Sequence, residues 1–241
     1  MNIQPFIFNW KRQYEKTLAK EEALNKIFDH VTVINSDDTH EEERWINIGD
    51  DCYYTDQFMK ALELFDGDVL FHIQGDASYD KLEDLVSDAH KYFEEYEWGI
   101  YAPNVDYTWY TAENTDIQSL QSNHENIKMV ADTDCTCWFI HKDIIKEFVN
   151  RKIDMSDQKM GWGVDLCLTS LSFILNRAVI RDYNHTIDHP PGTNYNKDQA
   201  AQEMNVLWER LDLDIKECIS YIKGDREKLS KYFLGHKKNE I

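Results

Sequence analysis

The sequence predicts an α/β fold in which a mixed, mostly parallel sheet is flanked by helices and followed by a C-terminal helical tail. Short apolar runs alternate with longer segments of helical periodicity, several of those runs stop abruptly at Gly or Asp, and strand-like runs cease beyond about residue 199.

The elements follow in order. Phe6, Ile7 and Phe8 make a short strand running into Asn9, Trp10 and Lys11, and residues 13–28 carry Leu18, Ala23, Leu24, Ile27 and Phe28 at helical spacing. A second strand over 31–35 ends just before Asp37 and Asp38, completing a β–α–β opening. A third over 45–48 precedes a helix over about 55–65 built on Phe58, Met59, Leu62 and Leu64. The fourth, 68–73, is an apolar run that ends in Gln74–Gly75–Asp76, where a carboxylate sits at a strand tip, the place such sheets reserve for metals and phosphates. Residues 79–96 read as a helix with Leu82, Leu85, Val86, Ala89 and Phe93 on its apolar stripe. A strand over 98–103 is closed by Pro103, and 106–126 reads as an aromatic and polar loop. Further strands are expected at 128–130 and 135–140, a helix at 142–149, an apolar helix at 166–175 opened by Asp165, a last short strand at 179–180, and a helical tail over about 199–234.

Composition limits the function. With 26 basic against 45 acidic residues the formal charge is −19, which repels duplex DNA and anionic membranes and disfavours a nucleic-acid acceptor. The run from Leu166 to Ile180 is broken by Thr169, Ser170, Ser172, Asn176 and Arg177, so it reads as a buried helix rather than a membrane span. No secretory signal opens the chain, and five cysteines without zinc-like spacing suit reduced thiols; a cytoplasmic location is expected.

Two further clusters carry chemistry. In Gly161–Trp162–Gly163–Val164–Asp165 the glycines allow a tight turn, Trp162 offers an apolar face, and Asp165 is placed either to take a proton or to cap the helix that follows. His185–Thr186–Ile187–Asp188–His189 leads into a Pro–Pro–Gly loop ending at Tyr195 and Lys197. Ahead of both, Asp132, Asp134 and Thr136 share one face if extended, and Tyr101, Asn104, Asp106, Tyr107, Trp109 and Tyr110 form an aromatic-polar group suited to carbohydrate.

From Phe6 to Tyr195 this order resembles the GT-A class of nucleotide-sugar glycosyltransferases, in its inverting, family-2-like form. The resemblance implies one domain over 1–197, with a nucleotide half to about residue 78, an acceptor half beyond it, and a helical extension over 198–241. It implies Asp76 and His189 as ligands of Mn²⁺ or Mg²⁺, with His185 the lesser candidate, and Asp165 as the base that deprotonates an acceptor hydroxyl. Asn9, Trp10, Asp37, Asp38, Gln74, Tyr195 and Lys197 would border the donor, a nucleoside-diphosphate sugar, and Trp162, Gly163, Asp134 and Tyr107 the sugar and acceptor. The class usually has Asp-any-Asp where this chain has Gln74–Gly75–Asp76, so only the second carboxylate is matched. Two other readings stay open: a nucleotidyltransferase, for which paired carboxylates and a basic phosphate loop are lacking, and a non-catalytic carbohydrate- or nucleotide-sugar-binding protein of the same fold.

Overall fold

A computed structural model of the chain describes residues 1–120, 124–190 and 196–229. Its elements are β1 (Ile3–Trp10), α1 (Tyr14–Leu24), β2 (Thr32–Ser36), β3 (Ile46–Asn47), α2 (Tyr54–Leu64), β4 (Val69–Gln74), α3 (Leu82–Tyr96), β5 (Ile100–Val105), α4 (Ala112–Thr115), β6 (Asp116–Ser119), β7 (Ile127–Val130), β8 (Cys137–His141), α5 (Lys142–Asn150), α6 (Val164–Ile174), β9 (Val179–Ile187), α7 (Lys197–Arg210) and α8 (Leu213–Gly224).

The described strands form one sheet in the order β3-β2-β1-β4-β8-β5-β9-β7-β6. β3, β2, β1 and β4 are parallel, β8 enters antiparallel between β4 and β5, β9 runs parallel to β5, and β7 and β6 close the far edge antiparallel. The carboxyl ends of β1, β2, β4, β5 and β9 therefore share one edge with the amino end of β8.

Phe6, Ile7 and Phe8 of β1 and Leu70, Phe71 and Ile73 of β4 are fully buried. Burial on both faces is why these strands read as unbroken apolar runs rather than alternating ones. Phe71 stacks on Phe139 of β8 with ring centroids 4.3 Å apart, joining the parallel half of the sheet to the mixed half.

Several expectations are corrected. β5 continues through Pro103 to Val105, because a register shift between Pro103 and Asn104 absorbs the missing N–H. The 106–126 segment holds α4 and β6 rather than loop alone. β8 begins at Cys137, not Cys135: Asp134 Oδ1 accepts from the amide and hydroxyl of Thr136, folding 132–136 into a turn, so Asp132, Asp134 and Thr136 do not share a strand face. β9 runs nine residues, to Ile187, and carries His185 within the strand. The tail breaks at Leu211–Asp212 into α7 and α8, and α8 lays Ile215, Cys218, Ile219 and Ile222 against the core beside α6. No helix among the described residues is long and apolar enough to cross a membrane.

Candidate active site

The turn after β4 is held from three sides. A Cβ on Gly75 would lie 2.7 Å from Thr17 Oγ1 and 3.0 Å from the Phe8 carbonyl oxygen, so only glycine lets α1 and β1 come this close. The Gly75 amide donates to Phe8 O at 2.8 Å and the Gln74 amide to Thr136 O at 2.9 Å. Beneath them Lys20 Nζ donates to the carbonyls of Gln74 and Gly75 at 2.7 and 2.9 Å; burial pushes its pKa down to about 7.

Asp76 emerges from this turn. Ser78 and Asp188 exchange backbone hydrogen bonds of 2.8 and 3.0 Å, which carries His189 to Asp76. His189 Nε2 lies 3.7 Å from Asp76 Oδ2. Asp76 Oδ1 and His189 Nδ1 are buried with no hydrogen-bond partner among the described residues. Leaving a polar atom buried and unpaired costs about 1–3 kcal/mol, and an oxygen and an imidazole nitrogen left so are the donors a cation such as Mn²⁺ takes.

Beside this turn lies the β1–β2 end of the edge. Asp37 is buried, and its Oδ1 accepts from the Thr39 amide at 3.0 Å and hydroxyl at 2.5 Å. Against the upward push of burial, these bonds hold its carboxyl below the usual range. Asp38 is exposed, its amide donating to Asp50 Oδ1 at 2.7 Å, and Asp50 in turn pairs with Lys11.

Farther along the sheet edge Asp165 stands in the first turn of α6, where the helix end favours negative charge. Its Oδ1 accepts from the amides of Leu166 at 2.9 Å and Gly163 at 3.2 Å, and its Oδ2 from the phenol of Tyr110. Gly163, not Asp165, is the N-cap. Burial raises the Asp165 pKa, while the Tyr110 and Leu166 hydrogen bonds restrain the rise. Burial and the facing charge of Asp165 push Asp132 well above the carboxylate range. The charge of Asp165 thus opposes ionisation of Asp132. Buried Arg181 fixes their surroundings, donating to Tyr110 O at 2.6 Å and Asp132 O at 2.9 Å.

Many solved structures share this architecture, two of them as follows. Residues 1–349 of S. aureus TarS match with a TM-score of 0.60 and 11% identity over 97% of this chain and 71% of that one. GalNAc-T7, with UDP, GalNAc and Mn²⁺, matches with a TM-score of 0.62 and 9% identity over 98% of this chain and 54% of that one. The chain has the GT-A fold. No protein-family model and no curated protein matches it in sequence.

Within the GT-A fold the edge gathers many of the sequence-derived candidates. Gln74, Asp76 and His189 meet at one turn, while Asp134, Gly163 and Asp165 lie at the other cluster, where Asp134 Oδ2 accepts from Thr108 Oγ1 at 2.7 Å. Trp162 is half-buried beside Gly161, which has a φ of +87° and meets the Tyr54 ring. Tyr107 is exposed, and Lys197 Nζ sits 5.7 Å from the Trp109 ring centroid in a cation–π contact. Trp10 is half-buried at the end of β1. Asn9 is a correction: fully buried, its amide donates to Asn35 Oδ1 and accepts from Thr17 Oγ1, both at 2.6 Å, so it braces β1 rather than facing a ligand. Tyr195 lies outside the described residues. His185 is drawn away from Asp76 into contact with Asp88. Lys20 and Arg181 enter through packing alone; the sequence signal for Lys20 is its place three residues after Thr17 on the core-facing side of α1.

Proposed function

We propose that this chain is a glycosyltransferase that takes a sugar from a nucleoside-diphosphate sugar and transfers it to an acceptor hydroxyl with inversion, Asp165 acting as base. The observation that carries this reading is the meeting of Asp76 and His189, with unpaired ligand atoms, on the edge that also carries Asp165. TarS 1–349 has been solved with UDP-GlcNAc and with UDP, and GalNAc-T7 with UDP, GalNAc and Mn²⁺, which supports a UDP-sugar as the first donor to try.

Asp165 Oδ2 is the atom that receives the acceptor proton, Tyr110 and the helix amides hold that carboxylate in place, and raised proton affinity makes it a better base near neutral pH. Asp76 and His189 would hold a divalent cation, which when bound supplies charge stabilisation to the departing diphosphate. Gln74 beside them offers a neutral amide to the ribose or phosphate.

The test combines binding and turnover. The protein is screened against UDP-sugars with and without Mn²⁺ by thermal shift, then assayed for release of UDP and the anomeric configuration of the product by NMR. Release of pyrophosphate would point to nucleotidyl transfer; donor binding with no turnover on any acceptor would support the binding-protein reading, which the single carboxylate of Gln74–Gly75–Asp76 favours.

A further inference from the structure

A second group of metal-binding side chains lies outside the Asp76 turn. Asp88 of α3 and Asp182 and His185 of β9 present one ligand atom each, all within 4.8 Å of one another. His185 Nε2 is 2.9 Å from Asp88 Oδ2 and 3.7 Å from Asp182 Oδ2. An ion with tetrahedral ligands at about 2.0–2.1 Å sets those ligands roughly 3.4 Å apart, so these separations bracket what a cation requires.

The surroundings orient the donors. Tyr79 Oη lies 2.7 Å from His185 Nδ1, fixing the ring with Nε2 turned toward the carboxylates. Asp182 Oδ2 accepts from the Tyr101 phenol at 2.6 Å, and its Oδ1 from the Asn184 amide at 2.8 Å. Asp182 is fully buried and no Lys or Arg pairs with it among the described residues, while a single imidazole N–H cannot serve Asp88 and Asp182 equally. A cation seated among the three would neutralise both carboxylates, which one imidazole N–H does not. Asp88 and His185 also border a cavity of about 300 Å³ that Asp84 and Lys81 line as well, which gives an ion access.

We propose that Asp88, Asp182 and His185 form a second divalent-cation site, separate from the Asp76–His189 turn and suited to Zn²⁺ or a similar transition ion, with the cavity side left for water. The mixed nitrogen and oxygen set favours such an ion over Mg²⁺. Its role is to clamp α3 to β9 behind the Ser78–Asp188 bridge that seats His189.

The site is tested on the full chain after chelator treatment and buffer exchange, in an Asp76→Asn background so that the turn contributes no carboxylate. Co²⁺ and Zn²⁺ are the probes. The Asp76→Asn protein should take up one Co²⁺ with visible d–d absorption that Zn²⁺ displaces, and Zn²⁺ at about 100 times its Kd should raise Tm on the order of 5 °C. Adding Asp88→Asn or His185→Gln should weaken binding ~10-fold or more and remove that rise. Asp88 lies on the half-exposed side of α3, so if His185→Gln prevents folding, Asp88→Asn decides alone. Absence of the band and the Tm rise in Asp76→Asn protein, or their survival in Asp88→Asn, overturns the proposal. Neither outcome depends on sugar transfer.

Discussion

The phenol of Tyr110 donates to Asp165 Oδ2, tying the loop after β5 to the first turn of α6. A hydrogen bond to a charged group is worth about 1.5–3 kcal/mol, and this one favours the ionised carboxylate. Tyr110→Phe should therefore raise the Asp165 pKa and move the acidic limb of the kcat/KM profile up by about one pH unit or more. An unmoved limb would separate Tyr110 from the base.

Asp165→Asn keeps the shape and both helix-amide contacts but removes the proton acceptor. Turnover should fall about 10²- to 10⁴-fold. The Tm rise given by a UDP-sugar should persist, which distinguishes loss of the base from loss of the fold; full turnover would assign the base elsewhere.

At the other cluster, Asp76→Asn removes the carboxylate charge and His189→Ala the unpaired imidazole nitrogen. The Mn²⁺-dependent part of the donor's thermal shift should shrink in both, with little change in Tm without ligand. Equal shifts with and without Mn²⁺ in the unaltered protein would show that donor binding proceeds without the cation.

Lys20 makes a prediction about stability. Its folded pKa of about 7 lies below the roughly 10.4 of an unfolded lysine, so between these values the unfolded chain holds more protons. Its contribution to stability is therefore reduced at low pH and recovers as pH rises from about 7 to 10. Calorimetry of wild type and Lys20→Met at pH 6, 8 and 10 should show the Tm gap move in favour of wild type with rising pH. A gap independent of pH would mean that Lys20 titrates as an ordinary exposed lysine.

The parallel part of the sheet was legible because its strands are buried on both faces and its turns are marked by Gly and Asp: β1, β2 and β4 lie where their apolar runs indicate. β9 runs past Ile180 although Arg181 and Asp182 are residue types that usually face solvent; both are buried, with hydrogen bonds to Tyr110, Asp132 and Tyr101. Cys135 and Thr136 favour strands by type, but the side chain of Asp134 captures the Thr136 amide and ends the extended run. Asp76, His189 and Asp165 were legible as chemical types in motifs. The brace under the turn was not, since a lysine reveals its partners only when α1 is packed against the turn after β4.

The place of β8 also bears on how the chain is made. β8 is synthesised after β5 but inserts between β4 and β5, pairing Val69–Ile73 with Cys137–His141. Until residue 141 has left the ribosome, the apolar edge of β4 has no strand to cover it, and that edge can pair with a neighbouring nascent chain. Fragments ending before residue 137 should aggregate, whereas those extended through β8 should gain solubility in one step.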